Sequence, residues 1–200
     1  MYDPRVSPDS DNAKLPLFKV RLFLDHLVRN FMEWWITGRD VSIDEQTLVF
    51  QGRSSFKLRI TFKIVGDGFM CDAICDEGYT YAFYFRCDTT PVSGHNLSAT
   101  SERVIWLIRQ LKTEWSCIHM DNLFNNVNLA RAAYCEKALV NGVVRTRNKG
   151  IPKEIIQKEE TKKSRLNEVR GTVKVAVRIG DPICPNIVAC SVYDTKPVHI

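Results

Sequence analysis

Apolar positions recur along this chain at two periods, and the periods sort it into helices and strands. Val20, Leu24, Leu27, Phe31 and Trp35 return at three- and four-residue steps after Pro16, which predicts an amphipathic helix ended by Gly38. Trp34 and Trp35 are read as the anchors of that helix on the core. Residues 41–50 read as a strand and Gln51-Gly52-Arg53-Ser54 as a turn. Phe56, Leu58, Ile60, Phe62 and Ile64 then alternate with Lys57, Arg59, Thr61 and Lys63, the pattern of a half-buried strand. Residues 69–75 and 79–85 flank Asp76-Glu77-Gly78, a hairpin signal. A helix is predicted from about residue 100 to 115, with Val104, Leu107, Ile108, Leu111 and Trp115 on one face.

A short buried strand over residues 117–120 ends at Asp121. Asn126 or Asn128 then caps a helix running to about residue 140, closed by Asn141-Gly142. Val143-Val144 open a further strand, a charged helix is expected over 153–168, and residues 172–179 and 187–193 read as strands. Residues 1–15, rich in Asp, Ser and Pro, are expected to be a disordered tail, which leaves 16–200 as one domain. This order predicts an α/β fold, a mixed sheet flanked by helices. In such sheets the first and fourth core strands can lie side by side.

Two of these strands carry an aspartate where propensity disfavours one: Asp44 in Ser42-Ile43-Asp44-Glu45-Gln46 and Asp121 in Met120-Asp121-Asn122. Carboxylates from neighbouring strands can share divalent cations for phosphoryl transfer. They equally suit strand ends that make turn or cap hydrogen bonds. Glu45, adjacent on a strand, points away from Asp44. His119 lies two residues before Asp121, on the same strand face, where it reads as a metal-adjacent group or as a satisfied rim histidine.

Composition narrows the choice. A hydrophobic fraction of 44% with 26% charged residues is that of an ordinary globular chain. No apolar run reaches the roughly 20 residues of a membrane span, and the N-terminus lacks a signal-peptide layout, so an intracellular protein without membrane partners is expected. The 7 cysteines are expected to be free thiols. Cys71-x-x-x-Cys75 has no second Cys/His pair at zinc spacing, so no zinc site is expected from it. The net charge is +5. Residues 145–170 hold nine Lys/Arg against four Glu and so carry all of it, either as a grip on a polyanion or as a solvated helix face.

The motifs in order resemble the transposase domain of the piggyBac transposable-element-derived family. Lys19-Val20-Arg21 with Leu24-Asp25-His26-Leu27 is similar to its lead-in helix. Ser42-Ile43-Asp44-Glu45 followed by Phe50-Gln51-Gly52-Arg53 resembles its first catalytic segment, and Met120-Asp121-Asn122-Leu123-Phe124 its second. Gly68-Phe69, Cys75-Asp76 and Gly78-Tyr79 resemble its intervening strands. Gly142-Val143-Val144-Arg145, Asn148-Lys149-Gly150-Ile151-Pro152 and Tyr193-Asp194-Thr195-Lys196-Pro197-Val198 resemble its later stretches, with tyrosine replacing the usual tryptophan. The likeness covers roughly residues 17–200.

It implies a ribonuclease H-like sheet, incomplete at its C-terminal end, and cut-and-paste DNA strand transfer in which three aspartates hold two Mg²⁺ ions. Asp44 and Asp121 match the first two catalytic and metal-binding aspartates. The third falls beyond the Asp-x-Lys-x-Val strand, so the chain is expected to be inactive alone. The alternative is a non-catalytic DNA- or protein-binding remnant of a transposable element. DNA contacts are expected from Arg145, Arg147, Lys149 and Lys153. A homo-oligomer or full-length transposase copy is the expected protein partner, and the nucleus the expected location.

Overall fold

A computed structural model describes residues 16–58, 67–157, 169–194 and 196–200. The expected tail over 1–15 lies outside this range, as do most of the alternating stretch after Phe56 and of the expected helix over 153–168. After a 3-10 turn (Phe18–Val20), helix α1 spans Arg21–Trp34. Strands β1 (Asp40–Val49), β2 (Gly68–Asp76) and β3 (Tyr79–Phe85) follow, then α2 (Ala99–Ile108), β4 (Cys117–Met120), α3 (Val127–Cys135) and β5 (Leu139–Gly142).

These five strands form one mixed sheet in the order β3-β2-β1-β4-β5. β1, β2 and β3 pair antiparallel, whereas β1, β4 and β5 pair parallel, with α2 and α3 as the connections that parallel strands require. The first and fourth strands are thus neighbours. The β2–β3 hairpin turns through Glu77 (φ 47°) and Gly78 (φ 84°), and two consecutive left-handed residues match the right-handed twist of the flanking strands.

One face of the sheet is dry. Val41 and Ile43 of β1, Ile74 of β2 and Ile118 and Met120 of β4 pack on Val104, Ile105, Leu107 and Ile108 of α2 and on Leu129 and Ala133 of α3. Alternation along β1 and β4 therefore leaves residues 40, 42 and 44 and residues 117 and 119 on the other face. Helix α1 runs along the outer strand β3, with Phe31 edge-on to Tyr79 and Phe83. Covering that edge removes a template for unwanted strand pairing.

Asp72 of β2 is fully buried and accepts hydrogen bonds from Arg86 (2.7 Å) and Arg103 of α2 (2.5 Å). The charge-assisted pairs offset the cost of burying it and tie α2 to the sheet.

Several expectations change. Trp35 anchors α1, stacking on Tyr79 at 4.7 Å and donating its indole N–H to Asp76, but Trp34 is 82% exposed. α2 stops at Ile108, and Trp115 lies beyond it in a left-handed conformation (φ 61°), donating its N–H to Lys137 O. α3 is capped by Asn126, whose side chain accepts the Leu129 N–H, and ends at Cys135 rather than near residue 140. There Ala138 N–H reaches Ala133 O and Lys137 (φ 56°) takes the left-handed position, so the carbonyls at the helix end are satisfied and the chain turns into β5. Gly142 sits in β5 and does not close a helix, and Val143-Val144 follow the strand.

Strands β6 (Val173–Arg178), β7 (Ile187–Tyr193) and β8 (Pro197–His199) occur where strands were expected, but in a second sheet of their own. All 7 cysteines are free, and two of them, Cys71 and Cys184, are buried.

Candidate functional site

The β1–β4 register decides where the two aspartates stand. Asp40 pairs with Cys117, Val41 with Ile118, Ser42 with His119 and Ile43 with Met120. Asp44 and Asp121 each follow the last pair of that register by one residue. Both are exposed, at the end where β4 gives way to a turn. The arrangement follows from the sequence locally: Val41, Ile43, Ile118 and Met120 take the dry face, so their polar neighbours take the wet one.

Each carboxylate is also held by its own backbone. Asp44 Oδ1 accepts the N–H of Glu45 at 2.8 Å, and Asp121 Oδ1 accepts the N–H of Leu123 at 2.7 Å in an Asx-type turn. Local hydrogen bonds to one oxygen fix the orientation of each carboxyl group. Burial, then a side-chain hydrogen bond with the neighbouring Asp44, raises the pKa of Glu45 above the ordinary carboxylate value, so the two carboxyl groups touch although their backbone positions alternate.

Hard oxygen donors from two adjacent strands suit Mg²⁺, which takes one or two carboxylates and keeps several waters. Asp44 and Asp121 offer donors of the type that fits that ion. The site lies on open surface. A concave cleft does exist between α3, β5 and the second sheet, lined by Tyr134, Val140, Cys184 and Ala189, but neither aspartate belongs to it.

The four basic residues are exposed. Arg145 donates from Nε to Asn122 Oδ1 at 3.3 Å, one residue beyond Asp121. Lys149 instead lines a cleft with Ser98, Ser101 and Asn126 at the N-terminal ends of α2 and α3. Arg147 and Lys153 lie along the same stretch.

A further group on the same face escaped the sequence reading. Asp40 of β1 and Cys117 and His119 of β4 bring one ligand atom each within 4.8 Å of one another. His119 Nε2 donates to Asp40 Oδ1 at 3.1 Å, and Asn141 of β5 bonds His119 Nδ1 at 3.3 Å. The hydrogen bond from His119 lowers the pKa of Asp40, while burial and then the Asp40 charge raise that of the Cys117 thiol. The available signal was the alternation Cys117-x-His119-x-Asp121, three ligand types on one strand face.

A five-stranded mixed sheet of this order, with helical crossovers and acidic groups on its central strands, defines a ribonuclease H-like domain. The family described as Transposase IS4 matches residues 5–199, and this chain belongs to that family. The chain is also similar to a solved cryo-EM structure of a piggyBac transposase synaptic complex with hairpin DNA. The TM-score is 0.78 at 23% sequence identity, over 100% of this chain and 40% of that one. The chain thus spans 40% of the length of the protein it matches. Among the described residues no helix is long and apolar enough to cross a membrane.

Proposed function

We propose that this chain carries two of the metal-binding carboxylates of a DNA strand-transfer centre, Asp44 and Asp121. The observation that supports it most is the β1–β4 register, which runs directly into the two aspartates. A bound Mg²⁺ supplies Lewis-acid stabilisation of the attacking and leaving oxygens in phosphoryl transfer. The protein's part is to hold both carboxyl groups on one exposed face, through the Glu45 and Leu123 N–H groups, and to bring phosphate-neutralising side chains close by. Arg145, bonded to Asn122, is the first of these, and Arg147, Lys149 and Lys153 extend the contact along the backbone of the DNA. A DNA partner of this kind would be met in the nucleus, alongside a second copy or a full-length transposase copy.

Two carboxylates hold one hydrated ion beside the DNA backbone. The test is Mg²⁺ titration followed by amide chemical shifts, together with a plasmid-nicking assay. Mg²⁺ is expected to shift residues around 44 and 121, and the shifts to vanish in Asp44→Asn and Asp121→Asn. Shifts that survive both substitutions would refute the site. Mg²⁺-dependent nicking that those variants lose would confirm the site but show that the chain needs no further carboxylate. A second reading, a binding module without any metal, rests on the exposure of the four basic residues. It predicts DNA binding unchanged by Mg²⁺ and by both substitutions.

A further inference from the structure

We propose that Asp40, Cys117 and His119 form a zinc(II) site, distinct in chemistry from the Asp44–Asp121 pair and independent of the strand-transfer reading. Asp40 and Cys117 are direct partners across β1 and β4, and His119 follows two residues later on the same face. The three ligand atoms already lie within 4.8 Å of one another. Tetrahedral zinc, with bonds of about 2.3 Å to sulfur and about 2.0–2.2 Å to nitrogen and oxygen, needs its ligand atoms roughly 3.3–3.8 Å apart. Closing the remaining gap takes up to about 1.5 Å of side-chain movement on that estimate, and Asp40, being exposed, is free to supply it.

The donor set selects the metal. A thiolate with an imidazole favours zinc, whereas the carboxylate pair beyond it favours magnesium. Zinc displaces one proton, that of the Cys117 thiol, and the proton His119 now donates to Asp40 from Nε2 moves to Nδ1, so the imidazole stays neutral. The two charges of the ion are balanced by the Cys117 thiolate and the Asp40 carboxylate. Asn141 contacts the other ring nitrogen. With its carboxamide turned so that the oxygen accepts Nδ1–H, it holds Nε2 toward the metal, the usual partner role around a ligating histidine. Three protein ligands leave a fourth position to water. The ion would rivet β1 to β4 four residues before Asp44 and between two and four before Asp121, fixing the register on which that pair depends.

Cobalt(II) reports on such a site by colour. Titrating the reduced 200-residue chain with Co²⁺ alone is expected to give a thiolate-to-cobalt charge-transfer band with tetrahedral d–d bands, displaced by Zn²⁺. Cys117→Ser should abolish the charge-transfer band, His119→Gln should weaken binding strongly, and Asn141→Leu should weaken it about 10-fold. Asp44→Asn and Asp121→Asn should leave the spectrum intact, and Zn²⁺ should raise the melting temperature of the wild-type chain but not of Cys117→Ser. No charge-transfer band would overturn the proposal. So would a band that persists in Cys117→Ser, since six other cysteines are present, or one lost in Asp44→Asn. Should Cys117→Ser fail to fold by circular dichroism, His119→Gln decides: unchanged cobalt affinity in that variant refutes the site.

Discussion

Trp34 and Trp35 are the same residue one peptide bond apart, and their surroundings give them opposite weights. Trp35 stacks on Tyr79 and donates to Asp76, whereas Trp34 projects into solvent. Trp35→Ala is therefore expected to cost about 3 kcal/mol and Trp34→Ala less than about 0.5 kcal/mol in urea denaturation. Equal costs would contradict the packing. Glu136 makes a pH-dependent contribution. Arg109 hydrogen-bonds its carboxylate at 2.6 Å, and this bond, with a further one from His95, lowers its pKa against the opposing effect of burial. A depressed carboxylate stabilises the fold fully above the unfolded value of about 4.3, and that contribution is lost as pH falls through the lower folded value. Urea midpoints measured from pH 7 to 3 should fall less steeply in acid for Glu136→Gln than for the wild type; identical slopes would refute the assignment.

The parallel strands β4 and β5 are short, and their pairing hangs on one glycine. Met120 and Gly142 are register partners, and a Cβ on Gly142 would collide with Met120 O. Its φ of 153° adds strain for any other residue. Gly142→Ala is expected to cost at least about 3 kcal/mol, because the clash is with backbone and cannot be relieved by a rotamer. Since Met120 precedes Asp121, the damage should reach the candidate site: wherever the variant still folds, its Mg²⁺ response should weaken. A variant as stable as wild type in thermal melts would show that β5 can move away from β4. The same element explains where helix periodicity misleads. Leu139 and Val140 continue the apolar spacing of α3, yet Lys137 has already turned the chain and both residues belong to a strand.

Across the molecule one sheet face packs under α2 and α3, and the opposite face divides into an apolar cluster of Phe69, Cys71 and Phe85 and a polar area on β1 and β4 with aspartates, a cysteine and a histidine. The net charge of +5 is concentrated in the stretch that begins beside Asp121. If four of those basic side chains each neutralise one phosphate, log K for duplex DNA should fall against log salt with a slope of about −3.6, about −0.9 per contact. Arg145→Gln should reduce that slope by about 0.9 with little dependence on DNA sequence. Binding that ignores salt would remove phosphate contact as the basis of the interaction.

How much of this was legible in the chain depended on how far apart the interacting residues lie. Val41 and Ile43, Ile118 and Met120, the Glu77-Gly78 turn and the Asn126 cap are settled by neighbours within a few residues, and period, turn chemistry and capping revealed them. Asp44 and Asp121 stood out because acidic residues at strand positions oppose local propensity, and the motif order around them resembled a known family. The helix ends at Ile108 and Cys135 were less readable, since apolar residues entering a strand continue a helical pattern for several positions. The side-by-side placing of the first and fourth strands was expected from the element order, but folding alone fixed their parallel register, put β6, β7 and β8 into a separate sheet, and seated Asp40 against Cys117 and His119. Those outcomes depend on hydrogen-bond ladders and packing between segments dozens of residues apart, whose pairing is chosen by which faces can be buried together and leaves no mark in a local pattern.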